Sequence, residues 1–382
     1  MDKINVLSIF GTRPEAIKMA PLVKVLEACP HVASKICVTA QHRHMLDQVL
    51  DIFGITPDFD LNIMVQNQSL AHITTAALNG LMDVIARAKP DLTLVHGDTT
   101  TTMAASVAAY YARVKLGHVE AGLRTYDKWA PYPEEINRKI TTVLADLNFA
   151  PTPTARANLL AENAATDSIF VTGNTAIDAI DSIVSQDYSF TESRLNDLDF
   201  ANKRIIVLTA HRRENYGQPL ENICRAATRL TLDFDDIEII WPVHLSPAVK
   251  DIAYSILGNN NKVHLIKPVD VTDLLNLINR SYMVMTDSGG IQEEAPHLNK
   301  PVLVLREVTE RPEGVGGCLV LAGTAEASIY NIAARLLTDA EEYGRMARAK
   351  NPFGDGAASN RILSAILYHF GRMARPAEDF TI

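Results

Sequence analysis

Residues 4–18 read Ile4-Asn-Val-Leu-Ser-Ile-Phe10 and then Gly11-Thr-Arg-Pro-Glu-Ala-Ile-Lys18. An apolar, β-branched run that stops at a glycine, with a proline in the first turn of the pattern that follows, spells strand, tight turn and helix. The run is nearly continuous rather than alternating, which fits a strand covered on both faces of a parallel sheet. Runs of the same kind recur at Lys35–Ala40, Asp91–His96, Leu116–Glu120, Leu147–Ala150 and Ser168–Thr172. A second set follows at Arg204–Ala210, Ile237–Val243, Lys262–Ile266, Tyr282–Thr286, Pro301–Leu305 and Cys318–Ala322. Longer helical patterns separate them. Two successive sets of strands joined by crossover helices predict an α/β chain of two Rossmann-like domains with a cleft between them.

At roughly 150 residues per domain, the length of the chain allows two to three domains. The hinge is placed at Gly173-Asn174, where a strand run ends, giving a first domain of residues 1–172 and a second of residues 173–357. The last helical pattern, Ala358–Ala374, carries Ile362, Leu363, Ile366, Leu367 and Phe370 on one face, and the polar tail Arg375–Ile382 is expected to fray.

Hydrophobic residues at 47% and charged residues at 21% exclude disorder for most of the chain. Thirty-six Lys and Arg against 45 Asp and Glu leave a net charge of −9. That argues against a nucleic-acid binder with a broad basic surface, but leaves room for a local pocket holding a small anion. Cys29, Cys37, Cys224 and Cys318 are far apart with no C-x-x-C pair, which points to a reduced, cytoplasmic protein. No run approaches the roughly 18 apolar residues of a membrane span, and Ile4–Phe10 is too short for the apolar core of a signal peptide.

In open parallel sheets ligands bind beyond the carboxyl ends of the strands, and polar clusters recur at those places. After the first run, Arg13 and Lys18 bring two cations to a helix N-terminus, where backbone N–H groups favour an anion; a capped helix with solvated charges is the plainer alternative. After the third run stands His96-Gly-Asp98-Thr-Thr-Thr-Thr102, a row of hydroxyls beside a carboxylate that could also be a simple N-cap. Glu120 ends an apolar run. Burial predicts an upward pKa shift for it unless it is paired, with Arg124 as the nearest partner in sequence. Pro131-Tyr-Pro-Glu134 opens a helix in which Glu134 and Arg138 are four apart, the spacing of an ion pair.

In the second half, Thr209-Ala-His211-Arg-Arg-Glu-Asn215 sets a histidine beside two arginines, an arrangement that a diphosphate would relieve. Asp287-Ser288-Gly289-Gly290-Ile-Gln-Glu-Glu294 opens a helix with two glycines, so that backbone amides can approach a phosphate closely. Glu294, one turn on, is placed to accept ribose hydroxyls. Thr309-Glu-Arg311-Pro-Glu313 adds a further charged cluster. His42 and His44 are discounted as metal ligands, because no third ligand lies at useful spacing and Arg43 repels a cation.

Together these ordered motifs, with Ala40-Gln-His-Arg43, Gly117-His-Val-Glu-Ala-Gly-Leu-Arg124 and Pro242-Val-His244, resemble those of the non-hydrolysing UDP-N-acetylglucosamine 2-epimerases of bacteria, from about Lys3 to about Leu367. The resemblance implies a GT-B-like fold with the last helix, 358–374, crossing back onto the first domain, a homodimer and no added cofactor. It implies reversible conversion of UDP-N-acetylglucosamine to UDP-N-acetylmannosamine by anti-elimination of UDP through 2-acetamidoglucal, followed by re-addition. Asp98, Glu120 and Glu134 would share proton transfer and cation stabilisation, the one that takes the C2 proton being left open. His211 would count among the catalytic groups by stabilising the departing diphosphate. Arg13, Lys18, Arg138, Ser288, Gly289 and Gly290 would hold diphosphate, Glu294 the ribose, and Arg311 the UDP.

Gln41 and His244 match a second, activating UDP-N-acetylglucosamine site of some members. The arginine expected after Asn62-Ile-Met64 is replaced by Val65-Gln-Asn-Gln68, and Lys267–Leu275 lacks the aromatic residue often found near the uracil. A hydrolysing enzyme that releases UDP and N-acetylmannosamine is the alternative activity, a non-catalytic nucleotide-sugar binder the alternative class. A related glycosyltransferase is disfavoured by the carboxylate set.

Overall fold

The computed structural model describes residues 2–41, 43–65, 68–309 and 311–381, with only the backbone of His44 and Met45. The chain divides into two compact units: Met1–Ser182 with Phe353–Thr381, and Ile183–Pro352.

The first unit alternates strand and helix: β1 (Ile4–Phe10), α1 (Arg13–Ala28), β2 (Val32–Val38), α2 (Arg43–Ile52), β3 (Phe59–Asp60), α3 (Leu70–Ala88) and β4 (Leu92–His96). It continues with α4 (Thr100–Tyr111), β5 (Lys115–Val119), α5 (Glu134–Leu144), β6 (Leu147–Ala150), α6 (Pro153–Ala161), β7 (Ile169–Val171) and α7 (Thr175–Ile183). The strands form one parallel sheet in the order β3-β2-β1-β4-β5-β6-β7. The six runs read from the sequence in this half are all strands; β3 is the addition. At two residues it is too short to leave a pattern, and it pairs with the edge of β2 only at Cys37 and Val38.

The second unit has β8 (Arg204–Thr209), α8 (Gln218–Asp233), β9 (Ile237–Pro242), α9 (Pro247–Leu257), β10 (Val263–Ile266), α10 (Val271–Arg280) and β11 (Met283–Thr286). Then come α11 (Gly289–His297), β12 (Val302–Val304), β13 (Leu319–Leu321), α12 (Glu326–Thr338) and α13 (Ala340–Ala347). Its parallel sheet runs β10-β9-β8-β11-β12-β13, the same order. Each sheet reverses its direction of winding at one place: between β1 and β4, and between β8 and β11. At such a switch point the two following loops diverge to opposite faces and leave room for a ligand.

Both faces of the first sheet are buried, as the continuous apolar runs require. Phe10, Leu22, Leu26, Phe149, Ile362 and Ile366 pack on one side, and Leu7, Ile9, Leu81, Val95 and Ala105 on the other. Trp241 is fully buried in the core of the second unit.

The last helix, α14 (Ala358–His369), belongs to the first unit, where its apolar face meets α1. It ends five residues before Ala374: Gly371 takes φ +67° and Arg372 N–H bonds back to the Leu367 carbonyl at 2.7 Å, a left-handed closure that stops the helix. The tail beyond is not frayed. Asp379 accepts the Val171 amide at 2.9 Å and pairs with Arg156, while Phe380 is buried and donates its amide to the Val171 carbonyl.

The unit boundaries at 182 and 352 differ from a hinge at Gly173-Asn174, because α7 is bound to the returning chain. Asn174 N–H donates to the Phe353 carbonyl at 2.8 Å, and the buried Asp178 carboxylate accepts from the amides of Ala358 at 3.0 Å and Ser359 at 2.6 Å, capping α14. Replacing this cap should weaken α14 by about 1–2 kcal/mol. In Asp178→Ala, amide hydrogen exchange should accelerate across α14 while the strands of the second unit keep wild-type protection; unchanged exchange in α14 would contradict the capping role.

Candidate active site

The loops that leave β1, β4 and β5 carry the candidate functional groups of the first unit. Glu120 directly follows β5 with its backbone in the left-handed region, φ +64°, a strained setting for a residue with a side chain. Its side chain is nearly buried. Lys18, on the second turn of α1, donates an ammonium hydrogen bond to Glu120 Oε2. The Asn174 amide donates to the same oxygen at 2.9 Å, and His96 Nε2, at the end of β4, lies 3.8 Å away.

The expected upward pKa shift of Glu120 is therefore reversed. Burial by itself raises the pKa, but the Lys18 ammonium, with His96 and the Asn174 hydrogen bond, holds the carboxyl at about 2. Arg124 is not its partner; the guanidinium forks onto Glu162 at 2.9 and 2.7 Å. Burial pushes His96 and His118 down to about 4, so both are neutral around Glu120 at neutral pH, and Lys18 is the counter-charge.

Asp98 follows β4 after Gly97. Its Oδ2 accepts two hydrogen bonds from Arg138, from Nε at 2.9 Å and Nη2 at 2.6 Å, and its carbonyl accepts from Asn137 Nδ2. Thr99, not Asp98, caps α4. Arg138 also donates to the fully buried Glu135 at 3.2 Å, which in turn holds the amides of Thr125 and Tyr126. The i,i+4 pair of Glu134 with Arg138 does not form, because Arg138 turns towards Asp98 and Glu135. Glu134, the first residue of α5, is left with Oε2 buried and without a hydrogen-bond partner among the described residues. A buried acceptor in that condition is costly, and such atoms concentrate where a ligand supplies the missing donor.

The N-terminus of α1 is not an open anion site. The buried Glu15 carboxylate occupies it, accepting from the amides of Gly11 at 3.0 Å and Thr12 at 2.8 Å, and from the hydroxyls of Thr99 at 2.7 Å and Thr102 at 3.2 Å. Burial raises its pKa even so. Glu15 ties the β1 loop to the β4 loop. Arg13, half-buried at the helix start, has no partner among the described residues. Gln41 accepts from the Thr101 hydroxyl at 3.1 Å through its side chain and from the Gln68 amide through its carbonyl. His42 and Glu310 lie outside the described residues, as do Gln66 and Asn67 of the Val65–Gln68 segment.

In the second unit the corresponding loops follow β8 and β11. Ser288 stands at the N-cap position of α11 without a side-chain cap bond, its own amide bonded to the Thr286 hydroxyl at 2.9 Å; Gly289 and Gly290 then begin the helix, where backbone N–H groups have no partner within the helix. Arg311 forks onto the buried Glu293, at 2.9 and 2.8 Å. His211 is half-exposed and stacks on His244, ring centroids 5.7 Å apart and planes 15° from parallel. Asp287 beneath them is fully buried.

Several groups in these clusters escaped the sequence reading: Glu15, His96, Glu135, Asn174 and Asp287. Each lies inside or beside a motif that was singled out. For His96 and Asp287 the signal available was an imidazole or carboxylate at the end of an apolar strand run; Glu15, Glu135 and Asn174 left none of that kind.

The sequence profile of UDP-N-acetylglucosamine 2-epimerase matches residues 24–367. The chain is 54% identical to the UDP-N-acetylglucosamine 2-epimerase of Bacillus subtilis over 383 residues, covering 100% of both proteins. It is 51% identical to that of Escherichia coli over 369 residues, 95% of this chain and 98% of the other. The crystal structure of UDP-GlcNAc 2-epimerase from Neisseria meningitidis bound to UDP-GlcNAc superposes with a TM-score of 0.84 at 46% identity, covering 96% of this chain and 100% of that one. Two doubly wound parallel sheets with carboxylates beyond the strand ends thus define an α/β enzyme of GT-B-like fold. The chain belongs to the UDP-N-acetylglucosamine 2-epimerase family, and its reaction class is isomerisation.

The Lys18–Glu120 pair carries a pH signature. Because the folded carboxyl is held below its ordinary 4.5, the pair stabilises the fold above that value, and the gain is lost as the pH falls towards about 2. Lys18→Met removes the counter-charge. Carbon-13 NMR of the Glu120 carboxyl should then show a pKa above the wild-type value, and the stability deficit measured by denaturant titration at pH 7 should shrink as the pH drops below 4.5. An unshifted carboxyl would contradict the pairing.

Proposed function

We propose that this enzyme interconverts UDP-N-acetylglucosamine and UDP-N-acetylmannosamine by inverting C2, with no cofactor. Base removal of the C2 proton and departure of UDP give 2-acetamidoglucal; UDP then adds back, and C2 is reprotonated on the other face. The chemistry asks for a base at C2, an anion beside a positively charged C1, and cations or amides around the departing diphosphate. The carboxylates Asp98 and Glu120 beyond the strand ends of the first unit and Glu134 at the start of α5, in a chain of this family, are the observation that supports the reading most.

Their surroundings suggest a division of labour. Glu120, paired with Lys18, is ionised at every working pH, which suits electrostatic support of an oxocarbenium-like C1 and makes it a weak base. Glu134, with an oxygen that lacks a donor, and Asp98, aimed by Arg138, are left to exchange the proton at C2. Unit two receives the UDP: Ser288, Gly289 and Gly290 at the start of α11 take phosphate oxygens, Glu294 the ribose hydroxyls, and Arg311 is placed by Glu293 beside the nucleotide. His211 supports the diphosphate as it leaves, and Arg13 and Lys18 add positive charge beside the carboxylates of the first unit.

The working form is a homodimer in the cytoplasm. Tyr110 and Tyr111 at the end of α4, and Val143 on α5, are exposed apolar groups that suit a subunit contact. The four free cysteines are all buried, as suits a reducing compartment.

Incubation of the enzyme with UDP-N-acetylglucosamine alone should yield UDP-N-acetylmannosamine, with deuterium at C2 of the product when the solvent is heavy water. Accumulation of free UDP with N-acetylmannosamine would show hydrolysis instead, and epimerisation without deuterium would rule out a solvent-exchanging base. Asp98→Asn, Glu120→Gln and Glu134→Gln should each lower kcat by about 10²-fold or more while UDP still binds in calorimetry. Near-wild-type rates in all three would overturn the catalytic assignment.

A further inference from the structure

We propose that Asp287 is the positioning residue of His211: its buried carboxylate fixes the turn that carries the imidazole and the ring's tautomer, so that Nε2 is presented to the substrate diphosphate. The inference rests on the reading of His211 as a diphosphate contact and adds the group through which that contact is prepared.

Asp287 follows β11, and its two oxygens have different surroundings. Oδ2 accepts three hydrogen bonds, from the His211 amide at 2.8 Å, the Arg212 amide at 2.9 Å and Asn215 Nδ2 at 2.9 Å. Asn215 is itself buried and anchored to the Leu305 carbonyl at 3.1 Å. This oxygen holds the whole β8 turn against the β11 strand end. Oδ1 is buried and has no hydrogen-bond partner among the described residues. The group that faces it is His211 Nδ1, 3.4 Å away.

A fully buried carboxylate oxygen with no donor carries a desolvation cost that a proton on Nδ1 removes. With the proton on Nε2 alone, two lone pairs would face each other across that gap. The Nδ1–H tautomer is therefore the stable neutral form, and Nε2 points away from the carboxylate with its lone pair available. The His244 ring, stacked in near-parallel orientation, limits rotation of the imidazole out of this plane. A contact of 3.4 Å is long for a hydrogen bond, as such contacts often are before substrate tightens them.

The charged and titratable groups that face the ring are Asp287, Arg212 and His244. Burial, first, and then Arg212 and His244 disfavour the imidazolium, while Asp287 favours it; the net result is a pKa below the ordinary histidine value. The free enzyme thus holds a neutral ring at neutral pH. When a diphosphate reaches Nε2, a proton from solvent adds there, and the resulting imidazolium is bonded at Nδ1 to Asp287 and at Nε2 to the phosphate. No substrate bond breaks in that step.

Two measurements test this. In uniformly nitrogen-15 histidine-labelled full-length enzyme, long-range proton–nitrogen correlations at pH 8 should show His211 protonated at Nδ1; a bare Nδ1 would overturn the proposal, and this readout needs no variant. Asp287→Asn keeps one oxygen for the His211 and Arg212 amides but turns an NH₂ group towards Nδ1, forcing the other tautomer. With UDP-N-acetylglucosamine as substrate, kcat should fall roughly 10–100-fold, as for other outer carboxylates that orient a histidine, with KM nearly unchanged. Asp287→Asn should cost nothing more in a His211→Asn background. Equal losses in both backgrounds would reduce Asp287 to a structural role and overturn the inference alone. A wild-type rate for His211→Asn would overturn the reading of His211 itself.

Discussion

A buried carboxylate has to be neutralised, and the first unit is arranged around that demand at Glu120. Its Oε2 gathers Lys18 from the helix after β1, His96 from the end of β4 and Asn174 from the turn after β7. Glu120 itself follows β5. Groups so far apart in sequence meet because the sheet order sets these strands side by side or nearly so, all pointing the same way. Breaking such a pair on one side typically costs about 3–5 kcal/mol, since it strands a charge away from water. The left-handed backbone at Glu120 is the local cost of aiming the side chain into this cluster.

The second unit solves a related problem with the same topology. In both sheets the loops on either side of the winding reversal are joined by a buried carboxylate. In the first unit Glu15 leaves the β1 side and accepts from Thr99 and Thr102 on the β4 side. In the second, Asp287 leaves the β11 side and accepts from the His211 and Arg212 amides on the β8 side. Each bridge turns two loops that could move separately into one rigid rim. Rigid placement of charge before substrate arrives is what electrostatic catalysis requires, because it removes the cost of reorganisation during reaction.

Legibility in the sequence followed the length scale of the signal. Every strand of four residues or more was visible as an apolar run, since burial on both faces demands it. The two-residue β3 was not, and the end of α14 was misplaced because the stop signal, Gly371, came after residues that continue the apolar period. The tail was read as loose from its polarity alone, yet Phe380 and Asp379 fasten it to β7. The placement of Asp98, Glu120, His211 and the Ser288-Gly-Gly290 turn just beyond strand ends was legible from the apolar runs that precede them, and that of Glu134 at the start of α5 from the prolines before it. Their pairings were not: Arg124 and Arg138 were each matched with a sequence neighbour, while the partners they hold are Glu162 for the first and Asp98 with Glu135 for the second.

The amino-acid sequence by itself determined the element types, their parallel pairing and the polar loops that follow the strands, because hydrophobic periodicity and turn residues act over a few positions. Only the tertiary structure decided which charge meets which. Lys18 and Glu120 are 102 positions apart, and His211 and Asp287 are 76 apart. Coulombic and hydrogen-bond energies depend on separations of a few ångströms in space, which the sheet order creates and spacing along the chain does not encode.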